Sequence, residues 1–143
     1  MSSIYVSSVI PAGVDRVWER IRDFNALPLW HPLVKFSEIE KGLPSDQVGC
    51  VRHFILQDGG DLRERLLALS DLEKMFTYSI LDSPLPVVNY VATVRLKPIT
   101  DSAHTFAEWT AEFDVTGGQE TDVVERVTGV FQGGFDSLKK HFG

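Results

Sequence analysis

A single cysteine, Cys50, stands in 143 residues. No internal disulfide can therefore staple the chain, and a lone thiol favours a reducing compartment. No apolar run approaches the ~18 residues that a membrane-spanning helix needs, so no stable membrane insertion is expected. The opening MSSIYVSSVIPAG has no basic residue ahead of its apolar ones and does not read as a signal peptide; a cytoplasmic location follows by elimination. A basic stripe is also missing. With 20 acidic residues against 14 basic ones and a net charge of −6, nucleic acid and anionic membrane surfaces are poor partners. The four histidines, His31, His53, His104 and His141, are scattered, with no HxH and no i, i+4 pair, so no metal site is expected. GxSxG, a P-loop and GxGxxG are all absent, and no organic cofactor is implied.

What is present is the composition of a folded chain. At 43% hydrophobic and 24% charged, the sequence can build a core without metals or disulfides, and its length suits a single domain over residues 1–143. Ile4–Ile10 has strand composition and stops at Pro11. Val14, Val17, Trp18 and Ile21 then recur at helical spacing. Residues 27–34, LPLWHPLV, form an apolar elbow fixed by two prolines, with Trp30 and His31 side by side. Strand-like runs follow at 35–40, 51–56, 62–69, 75–81, 88–96 and 105–115, separated by turn chemistry such as QDGGD (57–61) and SPLP (83–86). Residues 120–142 have helical periodicity. Five hairpin-length links in succession demand antiparallel neighbours, because parallel pairing needs long crossovers. The expected fold is α+β: a seven-stranded antiparallel sheet and a long C-terminal helix, with two short helices between strands 1 and 2.

The strand faces suggest a hollow. On 105–113 the apolar set is Thr105, Ala107, Trp109, Ala111 and Phe113; on 88–96 it is Tyr90, Ala92, Val94 and Leu96. Large aromatics alternating with alanines make an uneven inner surface. On 76–80 the inner set is Phe76, Tyr78 and Ile80. On 62–68 two parities compete, and the choice of Leu62, Glu64, Leu66 and Ala68 puts Glu64 inside. The apolar stripe of the last helix gathers Val123, Val124, Val127, Val130, Phe131, Gly134, Phe135, Leu138 and Phe142. Gly134 lies mid-stripe and marks either a close approach or an empty space; beside the sheet alanines, the space reading gains weight. Gly129 and Gly133 fall on the opposite face, where a helix contact in a homodimer is one use for them.

In this order the elements resemble the START-like, helix-grip superfamily, which includes the birch-pollen-allergen proteins, the polyketide cyclase/dehydratase group and the plant abscisic-acid receptors. The carriers are LPLWHPLV, VGCVRHFIL (48–56), LRERLLALSD (62–71), FTYSIL (76–81), VNYVATV (88–94), AEWTAEFD (107–114) and the closing helix. The resemblance implies a sheet curled around the C-terminal helix, enclosing an elongated apolar cavity. Glu64-Arg65-Leu66 matches a receptor segment whose Glu points inward, and Asn89-Tyr90 matches one whose Tyr does. Tyr78, Ile80, Phe54 and Leu56 would line the same space, with Trp30 and His31 at its rim. A lysine that meets the ligand carboxylate in the receptors falls on His31. The receptors' Leu-Pro gating loop is missing here, its place taken by the short QDGGD turn, so the likeness implies a cavity and not a hormone.

A carboxyl inside an apolar barrel must be paired, hydrogen-bonded or protonated, and Tyr78 and Tyr90 are the expected partners of Glu64. The leading expectation is binding of a small hydrophobic or amphipathic molecule, lipid-like in its apolar part. Trp30, His31, Glu64, Trp109, Val127, Phe131 and Gly134 would be among its contacts, with Ala92 on the sheet side. The alternative is an enzyme resembling the polyketide cyclase/dehydratase group, with Glu64 and His31 as acid/base residues and Tyr78 or Tyr90 as oxyanion donor. Cys50, with no base nearby in sequence, reads as a small buried residue rather than a nucleophile.

Overall fold

Seven stretches of alternating side chains pair into one antiparallel sheet in the computed structural model, which describes residues 1–143. The strands are β1 (Ser2–Ile10), β2 (Val34–Ile39), β3 (Val51–Leu56), β4 (Asp61–Ser70), β5 (Met75–Asp82), β6 (Val87–Pro98) and β7 (Thr105–Val115). Their spatial order is β1-β7-β6-β5-β4-β3-β2, so β2 to β7 follow one another as hairpins and β1 returns to pair with β7. Only the β1–β2 link spans the sheet from edge to edge. It does so through two helices, α1 (Val14–Ile21) and α2 (Leu27–Trp30). The long helix α3 (Glu120–Phe142) packs against the concave face. This is the helix-grip arrangement expected from the sequence.

Local chemistry accounts for the ends of α2 and α3. Pro28 sits in the first turn of α2, where its missing N–H costs nothing. In α3, Glu120 and Asp122 occupy the first turn and Lys139, Lys140 and His141 the last, matching charge to the helix dipole at both ends. In β7, burial alternates strictly from Thr105 to Phe113, so one face meets the core and the other meets water.

The sheet is bent by bulges. Between Val88 and Val91, two residues of β6 oppose Phe113 alone. Asn89 absorbs the extra residue at φ +55°, a conformation that Asn tolerates better than most side chains. Its side-chain amide donates to Asp114 Oδ2 at 3.0 Å. As a result Val87 and Tyr90, three residues apart, both turn toward the core.

Helix α3 packs closely against three rings at Gly134, which overturns the reading of that glycine as a vacancy. A Cβ there would stand 3.0 Å from His31 Cδ2, 3.0 Å from Trp109 Cζ3 and 3.1 Å from Trp30 Cζ3. Three rings occupy the place a side chain would take. Gly129, expected on the outer face, instead lies at the edge of the space described below, and Gly133 has nothing within 4 Å of its missing Cβ.

A β-branched residue at Asn89 must hold positive φ without a local hydrogen bond. Asn89→Val should lower stability by about 1–2 kcal/mol, whereas Asn89→Gly should stay within about 0.5 kcal/mol of the parent. Urea denaturation checks this; equal midpoints for Asn89→Val and the parent would mean that the bulge is not strained.

Candidate functional site

On the N-terminal side of Gly134 a cavity of about 380 Å³ lies between α3 and the sheet. Of its 23 lining residues 14 are hydrophobic, so the wall is apolar with a few placed polar groups. Phe54, Leu62, Tyr78 and Trp109 form the sheet side, and Val127, Val130 and Phe131 the helix side. The mouth lies between the Gln57–Asp58 turn, the Ser83–Leu85 turn and the exposed Arg126 and Gly129 of α3. Such a volume is at the lower end of the ~300–1,000 Å³ typical of sites for compact organic molecules.

The buried end is charged. Arg52, on β3, lies directly opposite Glu64, on β4, and both are nearly sealed from solvent, at 3% and 5% exposure. Arg52 Nε and Nη2 both donate to Glu64 Oε1, at 2.9 and 2.7 Å, and Nη1 donates to the Phe24 carbonyl at 3.1 Å. Its guanidinium carbon lies 3.9 Å from the centre of the Phe24 ring and 5.0 Å from that of Tyr78, an aromatic seating that favours a weakly hydrated cation. Burial pushes the Glu64 carboxyl above its ordinary pKa, and Arg52 pulls against that through its charge and its hydrogen bonds.

The partner of Glu64 is therefore Arg52, not the tyrosines expected from the sequence. Alternation along β3 holds the signal that was missed: Cys50, Arg52, Phe54 and Leu56 share one face. The tyrosines form a second polar group. Trp109 Nε1 donates to the Tyr78 hydroxyl at 3.1 Å, and the Tyr78 and Tyr90 rings stand 6.3 Å apart. Burial raises the pKa of both phenols, and the charge of Glu64 adds to the effect. Both stay protonated at neutral pH.

His31 is not a half-solvated rim residue. It is 2% exposed, and its Nε2 lies 2.8 Å from the Val130 carbonyl while the Leu33 N–H approaches Nδ1 at 3.3 Å. A carbonyl only accepts, so Nε2 carries the proton and Nδ1 is the acceptor. Both nitrogens are thus committed to backbone, and the ring straps the proline elbow to α3. Burial lowers its pKa, the hydrogen bond to Val130 opposes that, and the charge of Arg52 adds to the lowering.

Of the residues expected to line the hollow, His31, Phe54, Leu56, Glu64, Tyr78, Ile80, Tyr90, Trp109, Val127 and Phe131 do so. Trp30, Ala92 and Gly134 do not. Trp30 and Gly134 belong to the ring cluster that closes one end, where Trp109 also stacks on Phe131 at 4.2 Å and 6°, and Ala92 lies in the packed core. Cys50 is buried, its thiol pKa raised by desolvation. No group of three or more His, Cys, Asp or Glu side chains is placed to hold a metal ion, and no helix is long and apolar enough to cross a membrane.

A curled sheet gripping a C-terminal helix around such a space defines a START-like protein, and comparison with solved structures agrees. The structure of XoxI from Bacillus cereus superposes with a TM-score of 0.91 at 32% identity, covering 99% of this chain and 96% of that one. A protein from Nitrosospira multiformis gives 0.87 at 31% identity, with 99% and 97% covered. The crystal structure of Ara h 8.0201 gives 0.79 at 15% identity, with 99% and 97% covered, a likeness of fold. No curated protein matches the sequence. Residues 1–143 match the family described as polyketide cyclase / dehydrase and lipid transport; the chain belongs to that family.

Two outcomes are expected from this geometry. Arg52→Met leaves a buried carboxylate without its counter-charge and should destabilise by about 3–5 kcal/mol, while Arg52→Met combined with Glu64→Leu should recover most of that loss. Equal losses for the single and double variants in urea unfolding would remove the pair from the account. His31 gives the second. Its folded pKa lies below the ordinary 6.5, so the unfolded chain binds the extra proton first and stability falls as pH drops through about 6.5. His31→Gln keeps a donor for Val130 but cannot titrate. Between about pH 7.5 and about pH 5.5 its urea midpoint should fall less than that of the parent; parallel curves would show that the ring is not held neutral.

Proposed function

We propose that the chain is a binding protein for a small, largely apolar molecule, held between the sheet and α3. The observation that carries this is the cavity itself: about 380 Å³ between packed layers, apolar along its length, open at one end and polar at the buried end. Protein interiors are normally filled to crystal-like density, so a volume this large is retained at a cost in stability and is best understood as a place for something else. The ring cluster at Gly134 and the His31 strap keep the helix from settling into it. The family description, with its reference to lipid transport, supports the same reading.

A second reading is favoured by one feature. Glu64 Oε2 makes no hydrogen bond to the protein, yet it is not a sealed, unsatisfied atom, so it is reached from the cavity. A carboxylate there, with its pKa raised by burial, has the properties of a general base for enolisation or dehydration of a bound carbonyl compound.

The binding reading is checked with an apolar fluorescent probe and by native mass spectrometry of the purified protein. The parent should take up one probe molecule, and Ile80→Trp, which fills the cavity from β5, should weaken uptake by about tenfold or more with the fold intact by circular dichroism. Uptake that Ile80→Trp leaves unchanged would place the probe elsewhere. Glu64→Gln separates the two readings. A catalyst loses turnover of a hydroxy-ketone while still binding it, whereas a carrier changes in affinity only.

A further inference from the structure

We propose that the cavity selects an uncharged ligand whose head group donates and accepts a hydrogen bond at once, such as a primary amide or a hydroxy-carbonyl, docked head-first against Arg52, Glu64 and the Tyr78–Tyr90 pair. This rests on the ligand-binding reading above and narrows it to a chemical class.

The buried end offers a small, fixed set of charges, donors and acceptors. Among the sealed lining residues only Arg52 and Glu64 carry charge, and they balance. His31 adds none, because both its nitrogens are taken by backbone with the ring neutral. On the acceptor side, both guanidinium hydrogen bonds to Glu64 converge on Oε1 and leave Oε2 to the cavity. On the donor side, the Tyr78 oxygen already accepts from Trp109. The two phenols can share at most one hydrogen bond with each other, so at least one phenolic proton has no protein acceptor. Three guanidinium N–H groups are used, which leaves two more of its fixed set.

Each kind of head group then meets a different fate. A carboxylate would be brought beside Glu64 with Arg52 already committed, and would enter a low-dielectric space without a counter-charge. An ammonium would meet Arg52 in the same way. A bare hydrocarbon would strip water from Oε2 and replace it with nothing. An amide or hydroxy-carbonyl gives its N–H or O–H to Oε2 and takes the spare phenolic or guanidinium hydrogen on its carbonyl oxygen. It alone leaves the balanced pair undisturbed.

The test uses four probes that share one ring system: naphthalene-2-carboxamide, naphthalene-2-carboxylate, 2-(aminomethyl)naphthalene and naphthalene. Affinities are measured by calorimetry at neutral pH, where the acid and the amine are ionised. The carboxamide should bind about tenfold or more tighter than each of the other three. Tyr90→Phe should weaken the carboxamide several-fold and leave naphthalene unchanged. Glu64→Gln removes the negative member of the pair and should shift preference toward the carboxylate; should that variant not fold, the parental ranking and Tyr90→Phe still decide. A carboxylate or ammonium that binds the parent as tightly as the carboxamide overturns the proposal while leaving the cavity a binding site. Should none of the four probes nor the fluorescent probe enter, the ligand-binding reading itself fails.

Discussion

A close approach of helix α3 to the aromatic rings beneath it shapes the space between helix and sheet. At Gly134 the absent side chain lets the backbone approach until the rings of Trp30, His31 and Trp109 block it at 3.0–3.1 Å from where a Cβ would lie. Immediately before this, the flat stack of Phe131 on Trp109, 4.2 Å between centres, sets the height of the helix above the sheet. The helix runs unbroken over 23 residues, so its seat at Gly134 constrains the clearance beneath its N-terminal half. The cavity is the consequence of that wedge. Its closed end is the ring cluster, and its wall is whatever the strands present beneath Val127 and Val130.

What the strands present is a charge pair. A guanidinium and a carboxylate taken out of water rarely add net stability compared with hydrocarbon of the same volume. Their retention here is better understood through what they do to the space they face. The Phe24 and Tyr78 rings both lie against the guanidinium, the Phe24 carbonyl takes one of its hydrogens, and Glu64 Oε1 takes two. The pair is therefore held in place by the protein, and Glu64 Oε2 is left facing the cavity. A preorganised polar patch of zero net charge at the end of an apolar tube separates ligands by head group more than by length. The same patch, presented to a carbonyl compound, would offer a base and hydrogen-bond donors, so one arrangement of side chains suits either of the two readings.

The fold was legible because each strand declares its face and each connection is short. Period-two patterns in β6 and β7, turn residues between them and the apolar stripe of α3 leave few ways to assemble seven strands and a helix. Glu64 could be placed inside by the parity of Leu62, Glu64 and Leu66. Arg52 could not be found so directly. The run VRHFIL does not alternate cleanly, an arginine in a strand ordinarily faces water, and its pairing with Glu64 depends on the register set by the Gln57–Gly60 turn. Only parity from Phe54 combined with the need of Glu64 for a counter-charge would point to it, and the sequence reading turns to the tyrosines instead. Gly134 failed for a different reason: a gap in a stripe is the same pattern whether a ligand or a neighbouring ring fills it, and only the position of the proline elbow decides. That elbow owes its place to His31, whose two backbone contacts span 99 residues of sequence in one case and 2 in the other.

The claim on which the rest stands is that sheet and helix leave a permanent vacancy between β4, β5 and the first half of α3. Diffraction from crystals held under xenon tests it most directly, because xenon occupies apolar voids without hydrogen bonds. The account requires xenon density among Phe54, Leu62, Val127 and Phe131. Side chains closed over that position, with xenon absent there, would contradict it.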